Sequence, residues 1–510
     1  MNHIPTSVAR GVLAGAMAGA MALAASIGSA FAAGGKLVIA ESFPPTAGWA
    51  MESDDPFVLT RVGCLEGLAR VDFEGQVIPA LATGWEQVSP TEWDFTIREG
   101  VKFHNGEALD AAAVAAALNH VLGADAPARS FSPKVVASVA AARDMTVRIT
   151  TPNPSVLLPL RLASPNTGIL APAAYAGEQI DPVGTCTGPF RIVEHIPEQA
   201  LRLERNAEYW GGDVRLEAAE MRFVLDGGVR ATQIRTGEAH LSRVIPASAI
   251  EELKTVEGVN VITVETARTN GLYLNNARAP FDNVNARRAV QSAIDAAAIA
   301  ATIYEGSAQP AVGPFAPNEP WAPTGASGAA YDPERAKRLL AEAGIDAGAL
   351  DLTLLVYTER AELPDLAAVV QAQLQQIGVK AEIRSSNWSG IETDLYAGNF
   401  DLFLMSRNHL IDVADPIAFL AADYTCEGGF NISNFCDPAV DALVDEARGT
   451  ADPSARNALY AQVAARLQDE AVTVFLVHIE SIEAVSEKVQ GYRMHPLAHY
   501  VLVPELGLAE

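Results

Sequence analysis

The stretch Leu352-Thr353-Leu354-Leu355-Val356, followed by Leu366, Val370, Leu374 and Ile377 ahead of Gly378, decides the fold class. A short apolar run of this kind is a buried strand, and the following spacing marks one helical face that Gly378 brings to an end. Residues 379–383 and 400–404 read as further strands. Just upstream, Asp332-Pro333 opens a helix that Gly344 closes. Asp caps, Pro fits the first turn, and Gly ends the last one. A strand–helix–strand rhythm of this length predicts an α/β fold.

Working outward, residues 36–40 (KLVIA) predict a first strand, and residues 93–98 (WDFTIR) alternate as a strand with one wet face does. Asn105-Gly106 makes a turn, and Asp110 caps an Ala-rich helix that runs to about Val121. Strands follow at 147–150, after Cys186, at 201–205 and at 272–275. Residues 285–303 read as one helix with Val290, Ile294 and Ile299 facing the core, and residues 472–477 (VTVFLV) as a buried strand. Asp437-Pro438 and Asp452-Pro453 each open a helix as Asp332-Pro333 does, and residues 310–328 form a long loop.

At 510 residues the chain calls for two or three domains. A net charge of −26 repels nucleic acid phosphates and anionic lipid, so neither is an expected partner. Arg10, the apolar run 11–27 and Ala30-Phe31-Ala32 read as a cleaved export signal over residues 1–32. The expected address is the periplasm, with no lipid anchor and no later membrane span. Four cysteines suit that oxidising compartment. Cys426 and Cys436 are ten positions apart and can close a small loop. Cys64 and Cys186 are left to pair, a bridge that distance along the chain does not decide.

The candidate site begins at His409-Leu410-Ile411-Asp412-Val413-Ala414-Asp415-Pro416. A carboxylate among Ile, Val, Ala and Leu is costly to bury unless it meets a cation. One reading gives Asp412 the cationic group of a small ligand. The other makes Asp412 and Asp415 turn or cap residues ahead of a helix near Pro416.

Several blocks occur together: 78–121 with REGVKFHNGEALD, 185–212 with TGPF and YWGG, 272–295 with APFDNVNARRAV, 331–344, and 400–416. In this combination the chain resembles the family 5 solute-binding proteins of ABC importers, the peptide/nickel/opine class, over essentially its whole mature length. The resemblance implies a two-lobe periplasmic binding protein fold with a hinge of crossing strands and an extra subdomain in lobe I. Lobe I is then expected at 34–265 plus 484–510, and lobe II at 266–483. Dipeptide-binding members of the family hold the ligand's ammonium with an Asp three residues before an Asp-Pro step, which Asp412 matches, and carry a disulfide loop similar to Cys426–Cys436. They bind the ligand's carboxylate with an Arg that Arg360 approximates. Trp388 matches an aromatic position. Ser406-Arg407-Asn408-His409 departs from the family pattern, with Arg407 expected as a second anion contact and an opine-like conjugate as a possible guest.

The function expected is capture of a small peptide-like or amino-acid-derived zwitterion and its delivery to a membrane permease with its ATPase, by a monomer that needs no cofactor. Micromolar capture needs about −8 kcal/mol. The alternative is nickel or metal-chelate uptake, for which His409 is the one weak candidate ligand; a single imidazole makes a poor site unless a chelator completes it. A secreted hydrolase is the remaining class. The chain has no G-x-S-x-G, H-E-x-x-H, P-loop or dinucleotide motif, so no enzyme is expected.

Overall fold

The structure, a computed structural model, describes residues 36–128, 130–360, 362–411 and 413–509. The export segment and Asp412 therefore lie outside the described residues.

Alternating or apolar runs become strands where the pattern predicts them. In Glu92–Ile97, Trp93, Phe95 and Ile97 are buried while Thr96 is exposed. That strand pairs with Ala82–Ser89 and Thr146–Thr150 in a small antiparallel sheet. The Asp-led helices are capped as expected. Asp110, Asp332 and Asp452 each accept from the backbone N–H three residues on, at 2.8, 2.8 and 2.7 Å. Asp437 accepts from Ala439 at 2.9 Å.

The large mixed sheet runs, edge to edge, through Lys380–Ser386, Asp351–Tyr357, Leu402–Asn408, Val259–Leu274, Thr473–Ser486, Leu241–Ser242, Leu37–Glu41, Ala218–Phe223, Ala200–Arg205 and Phe190–Ile196. Ala308–Pro310 pairs with Thr473–Ser486 off this path. Two apolar cores lie along it. The first gathers Leu37, Phe95, Leu118, Phe190 and Met221 and is completed from the far end of the chain by Val485, Val501, Leu502 and Leu506. The second gathers Leu272, Leu354, Leu366, Val370, Phe403 and Leu476.

Two long strands join these halves. The predicted strand at 272–275 is the end of a 16-residue strand, Val259–Leu274. The apolar run at 472–477 opens a 14-residue strand, Thr473–Ser486. They pair antiparallel over most of their length. Their register slips between Glu265 and Thr269: four steps along the first strand match two along the second, from Glu480 to His478. Such a bulge bends its strand and re-aims the side chains within it.

One helix differs from expectation. Residues 285–303 form two helices, Val284–Ala293 and Ala296–Thr302. Ile294 takes an extended backbone, and Asp295 starts the second helix by accepting from the Ala298 N–H at 2.9 Å. The Asp had a cap to make, and that ended the first helix. Val290, Ile294 and Ile299 are buried as predicted.

Candidate functional site

The site is assembled where the strands Asp351–Tyr357 and Leu402–Asn408 end beside the middle of Val259–Leu274. Leu402–Asn408 pairs antiparallel with Val259–Leu274, setting Arg268 opposite Asn408 and Asn270 opposite Ser406. It pairs in parallel with Asp351–Tyr357. Tyr357 ends its strand, and its hydroxyl accepts from the Ser406 N–H at 3.2 Å. Burial raises the Tyr357 phenol above its ordinary range, while Arg360 and Arg268 pull against that rise.

Trp388 begins the helix Trp388–Tyr396, which Asn387 caps onto Gly390 at 2.9 Å. The Trp388 backbone N–H donates to Glu359 at 2.8 Å, which ties the helix start to the loop carrying Arg360. Its ring lies edge-on to Tyr357 at 5.5 Å and near-parallel to Phe430 at 6.5 Å, with Phe403 at 6.2 Å. Trp388 is thus part of an aromatic wall built on the second core, as well as a side chain at its edge.

Three arginines meet beside that wall, and they are not equivalent. Arg407 is buried and forks onto Asp423, with two donors each 2.8 Å from a carboxylate oxygen. Its guanidinium also lies over Phe430 and Phe419, at 5.1 and 5.5 Å. The expected anion contact by Arg407 must share this group with an internal carboxylate, as paired, charge-assisted bonds of this geometry are strong. Arg360 is partly buried and has no ion-pair or side-chain hydrogen-bond partner among the described residues. Arg268 donates to the Ser406 carbonyl at 3.1 Å and its hydroxyl at 3.3 Å, with no carboxylate at ion-pair distance among the described residues. Burial, then the charges of Arg360 and Arg407, push Arg268 down to about 9, although Tyr357 and Glu362 act the other way.

Arg268 belongs to none of the motifs read in the chain. It sits in Thr266-Ala267-Arg268-Thr269-Asn270, beyond the end of the strand recognised there. Carrying the alternation back from Leu272 through Asn270 would have put Arg268 on the same face. The bulge at Glu265 to Thr269, which sequence alone does not announce, is what aims it at Ser406.

His409 is 3% exposed. Its Nε2 bonds to Glu319 at 2.7 Å, and Phe315, Phe419 and Trp321 surround the ring. Behind it, the Val312 N–H donates to His478 Nε2 at 3.3 Å, so His478 Nδ1 carries the proton toward Thr269 at 2.9 Å. The Thr269 hydroxyl then donates to the Pro314 carbonyl at 3.0 Å. These bonds anchor the loop 310–328. Among the described residues, one cluster has metal-ligand proximity, Cys64, His104 and Cys186, and its two sulfurs are joined in a disulfide.

Asp412 lies outside the described residues. After it, Val413 is buried and Ala414 packs against Ala69, Val71 and Ala163. Asp415 fits the turn-or-cap reading as a turn residue just ahead of the helix Ile417–Asp423, accepting from the Ile417 N–H at 3.0 Å. It also holds Arg456 at 3.1 Å and the Tyr460 hydroxyl at 2.5 Å, so it is fully committed to structure. Both disulfides are formed, Cys426–Cys436 and Cys64–Cys186. His495 and His499 are buried, stacked on each other at 5.6 Å, and bonded to backbone groups through His495.

A bilobal α/β frame with charged and aromatic groups gathered beside its crossing strands is the architecture of a binding protein. The chain belongs to the bacterial extracellular solute-binding proteins of family 5, whose middle region matches residues 76–431. Members of this family are the extracytoplasmic solute-binding components of ABC importers, and no helix among the described residues is long and apolar enough to cross a membrane. Among curated proteins, the chain is 27% identical to di/tripeptide-binding protein 2 of Pseudomonas aeruginosa, over 83% of this chain and 85% of that protein. Among solved structures, a nickel ABC transporter protein from Bacillus halodurans is 30% identical with a TM-score of 0.76, covering 93% of this chain and all of that one (100%). AgaA of A. tumefaciens R10, solved with agropinic acid, shares the fold at a TM-score of 0.80 and 22% identity, covering 93% and 99%.

Proposed function

We propose that this protein captures a small peptide-like or amino-acid-derived zwitterion and hands it to an inner-membrane permease and its ATPase. It works as a periplasmic monomer that does no chemistry on the ligand and needs no cofactor. In this reading lobe I comprises 34–265 plus 484–510, lobe II comprises 266–483, and the two close by bending the long strands. Arg360 takes the ligand's carboxylate, Asp412 its ammonium, and Trp388 with Phe430 offers an apolar face. Arg407 positions this wall through Asp423, and His409 holds the loop 310–328 through Glu319.

The observation carrying the proposal is a guanidinium beside an aromatic wall with no internal carboxylate at ion-pair distance among the described residues. A guanidinium with its charge-assisted bonds still to be made suits an arriving carboxylate. The di/tripeptide-binding relative supports a peptide-like guest. The nickel-transport relative keeps metal uptake as the second reading. Thermal-shift titration separates them. Dipeptides are expected to raise the melting temperature and Ni²⁺ alone to leave it unchanged; the reverse pattern overturns the proposal. Asp412→Asn is expected to abolish the dipeptide-induced shift while leaving the melting temperature without ligand nearly unchanged. A normal shift in that variant removes Asp412 from the site.

A further inference from the structure

We infer that Arg268 and Arg360 form a two-guanidinium clamp that selects ligands bearing a second acidic group besides the main-chain carboxylate, such as an acidic dipeptide or a dicarboxylic amino-acid conjugate. This rests on the peptide-like capture proposed above and names the class of ligand within it.

The first support is the contrast among the three arginines. Arg407 has a buried carboxylate partner, whereas Arg268 and Arg360 have none at ion-pair distance among the described residues. Two guanidinium groups close enough to repel each other are stabilised by whatever anion comes between them. Glu362, at the start of the helix Glu362–Gln376, attracts Arg268 from beyond ion-pair distance and offsets one of the two charges only in part. A single carboxylate held by Arg360 leaves Arg268 without a full counter-charge.

The second support is the backbone. Arg268 stands in the bulge between Glu265 and Thr269, where the long strand has come out of register with its partner. That irregularity points the side chain across Leu402–Asn408 to the Ser406 carbonyl and hydroxyl. Those two bonds use one terminal nitrogen, Nη1, and fix the plane of the fork. A fixed planar fork with donors still to be satisfied matches carboxylate geometry. The third support is the neighbourhood. Asn270 bonds to the Tyr304 hydroxyl on the same strand face, and the Tyr357 hydroxyl lies one hydrogen bond from Ser406, so the surroundings of Arg268 are rich in neutral polar groups.

Isothermal titration with Ala-Glu and Ala-Gln tests the clamp, because this pair differs in one charge at nearly constant shape. Wild-type protein is expected to bind Ala-Glu about 10- to 100-fold more tightly, the range of a charge-assisted hydrogen-bond pair. Arg268→Met is expected to bind the two equally, and an unliganded melt with the cooperativity of the wild type shows that the variant is folded. Arg268→Lys, which keeps charge without the fork, is expected to retain part of the preference. Equal binding by the wild type, or a preference surviving in Arg268→Met, overturns the clamp and leaves dipeptide capture standing. Binding of neither dipeptide by the wild type overturns capture itself and the clamp with it.

Discussion

Glu41 offers the sharpest test of how the first core is held. It ends the strand Leu37–Glu41 and is 1% exposed. Arg243 bonds to it and also to Glu483 at 2.8 Å, and Ser42 donates from its N–H at 2.7 Å and its hydroxyl at 3.0 Å. Burial works to raise the carboxyl. The charges of Arg243 and Arg61 and the two Ser42 donors outweigh it, bringing Glu41 from 4.5 to about 2. That difference corresponds to about 3 kcal/mol of folding stability. Its sign is set by which state holds the proton. Between pH 2 and 4.5 the unfolded chain binds more protons at this site, so the contribution is complete above about pH 5 and lost as pH falls toward 2. Glu41→Gln is expected to destabilise at pH 7 by about 3 kcal/mol, at the low end for a broken buried pair because Arg243 keeps Glu483. Urea unfolding followed by tryptophan fluorescence reads this directly, as Trp49, Trp85, Trp93 and Trp210 all belong to or pack on the first core. With a urea slope of about 2–3 kcal/mol/M, the midpoint drops by about 1 M. The variant's stability is also expected to vary less between pH 5 and 3 than the wild type's. A loss under about 1 kcal/mol at pH 7, or parallel pH profiles, refutes the account.

Further outcomes concern the rest of the frame. Cys426→Ser opens a ten-residue loop and is expected to cost about 2–3 kcal/mol, read by urea unfolding, while thiol titration of the unfolded oxidised wild type should find no reactive thiol. Burial pushes His104, His478 and His495 down to about 4 from 6.5, so the folded state is expected to lose stability as pH falls from 6.5 toward 4; a flat series of thermal melts over that range contradicts this. Asp415→Asn breaks the ion pair with Arg456 inside the protein and weakens the Tyr460 bond, so a loss of about 3 kcal/mol or more is expected in denaturant unfolding.

Much of the frame could be read in the residues themselves. Asp-Pro pairs marked the helices Pro333–Glu342, Pro438–Gly449 and Pro453–Asp469 because cap chemistry is local. The short apolar strands were equally plain. The long strands were visible only where they lie in a core. Residues 259–267 are mostly half-exposed, so their pattern does not continue the apolar run at 272–274. The candidate site was legible in part for the same reason. Arg360 and Trp388 came from their resemblance to family positions. Arg268 is placed by a bulge, and the partner of Arg407 lies sixteen residues further on, at Asp423. Neither relation leaves a local trace in sequence.

The two long strands also set the order in which the molecule can be finished. All the residues of the second core fall between Leu272 and Val477, so this half is an insertion within the chain that builds the first. A chain emerging from its N-terminus can therefore complete the inserted half before the outer one. The outer half must wait for Val485, Val501, Leu502 and Leu506, the last apolar pieces to arrive. Until then the short strand Leu241–Ser242, which lies beside Leu37–Glu41, lacks its partners Ala484 and Val485, which makes that interval the one in which a helper protein or a rapid finish matters most.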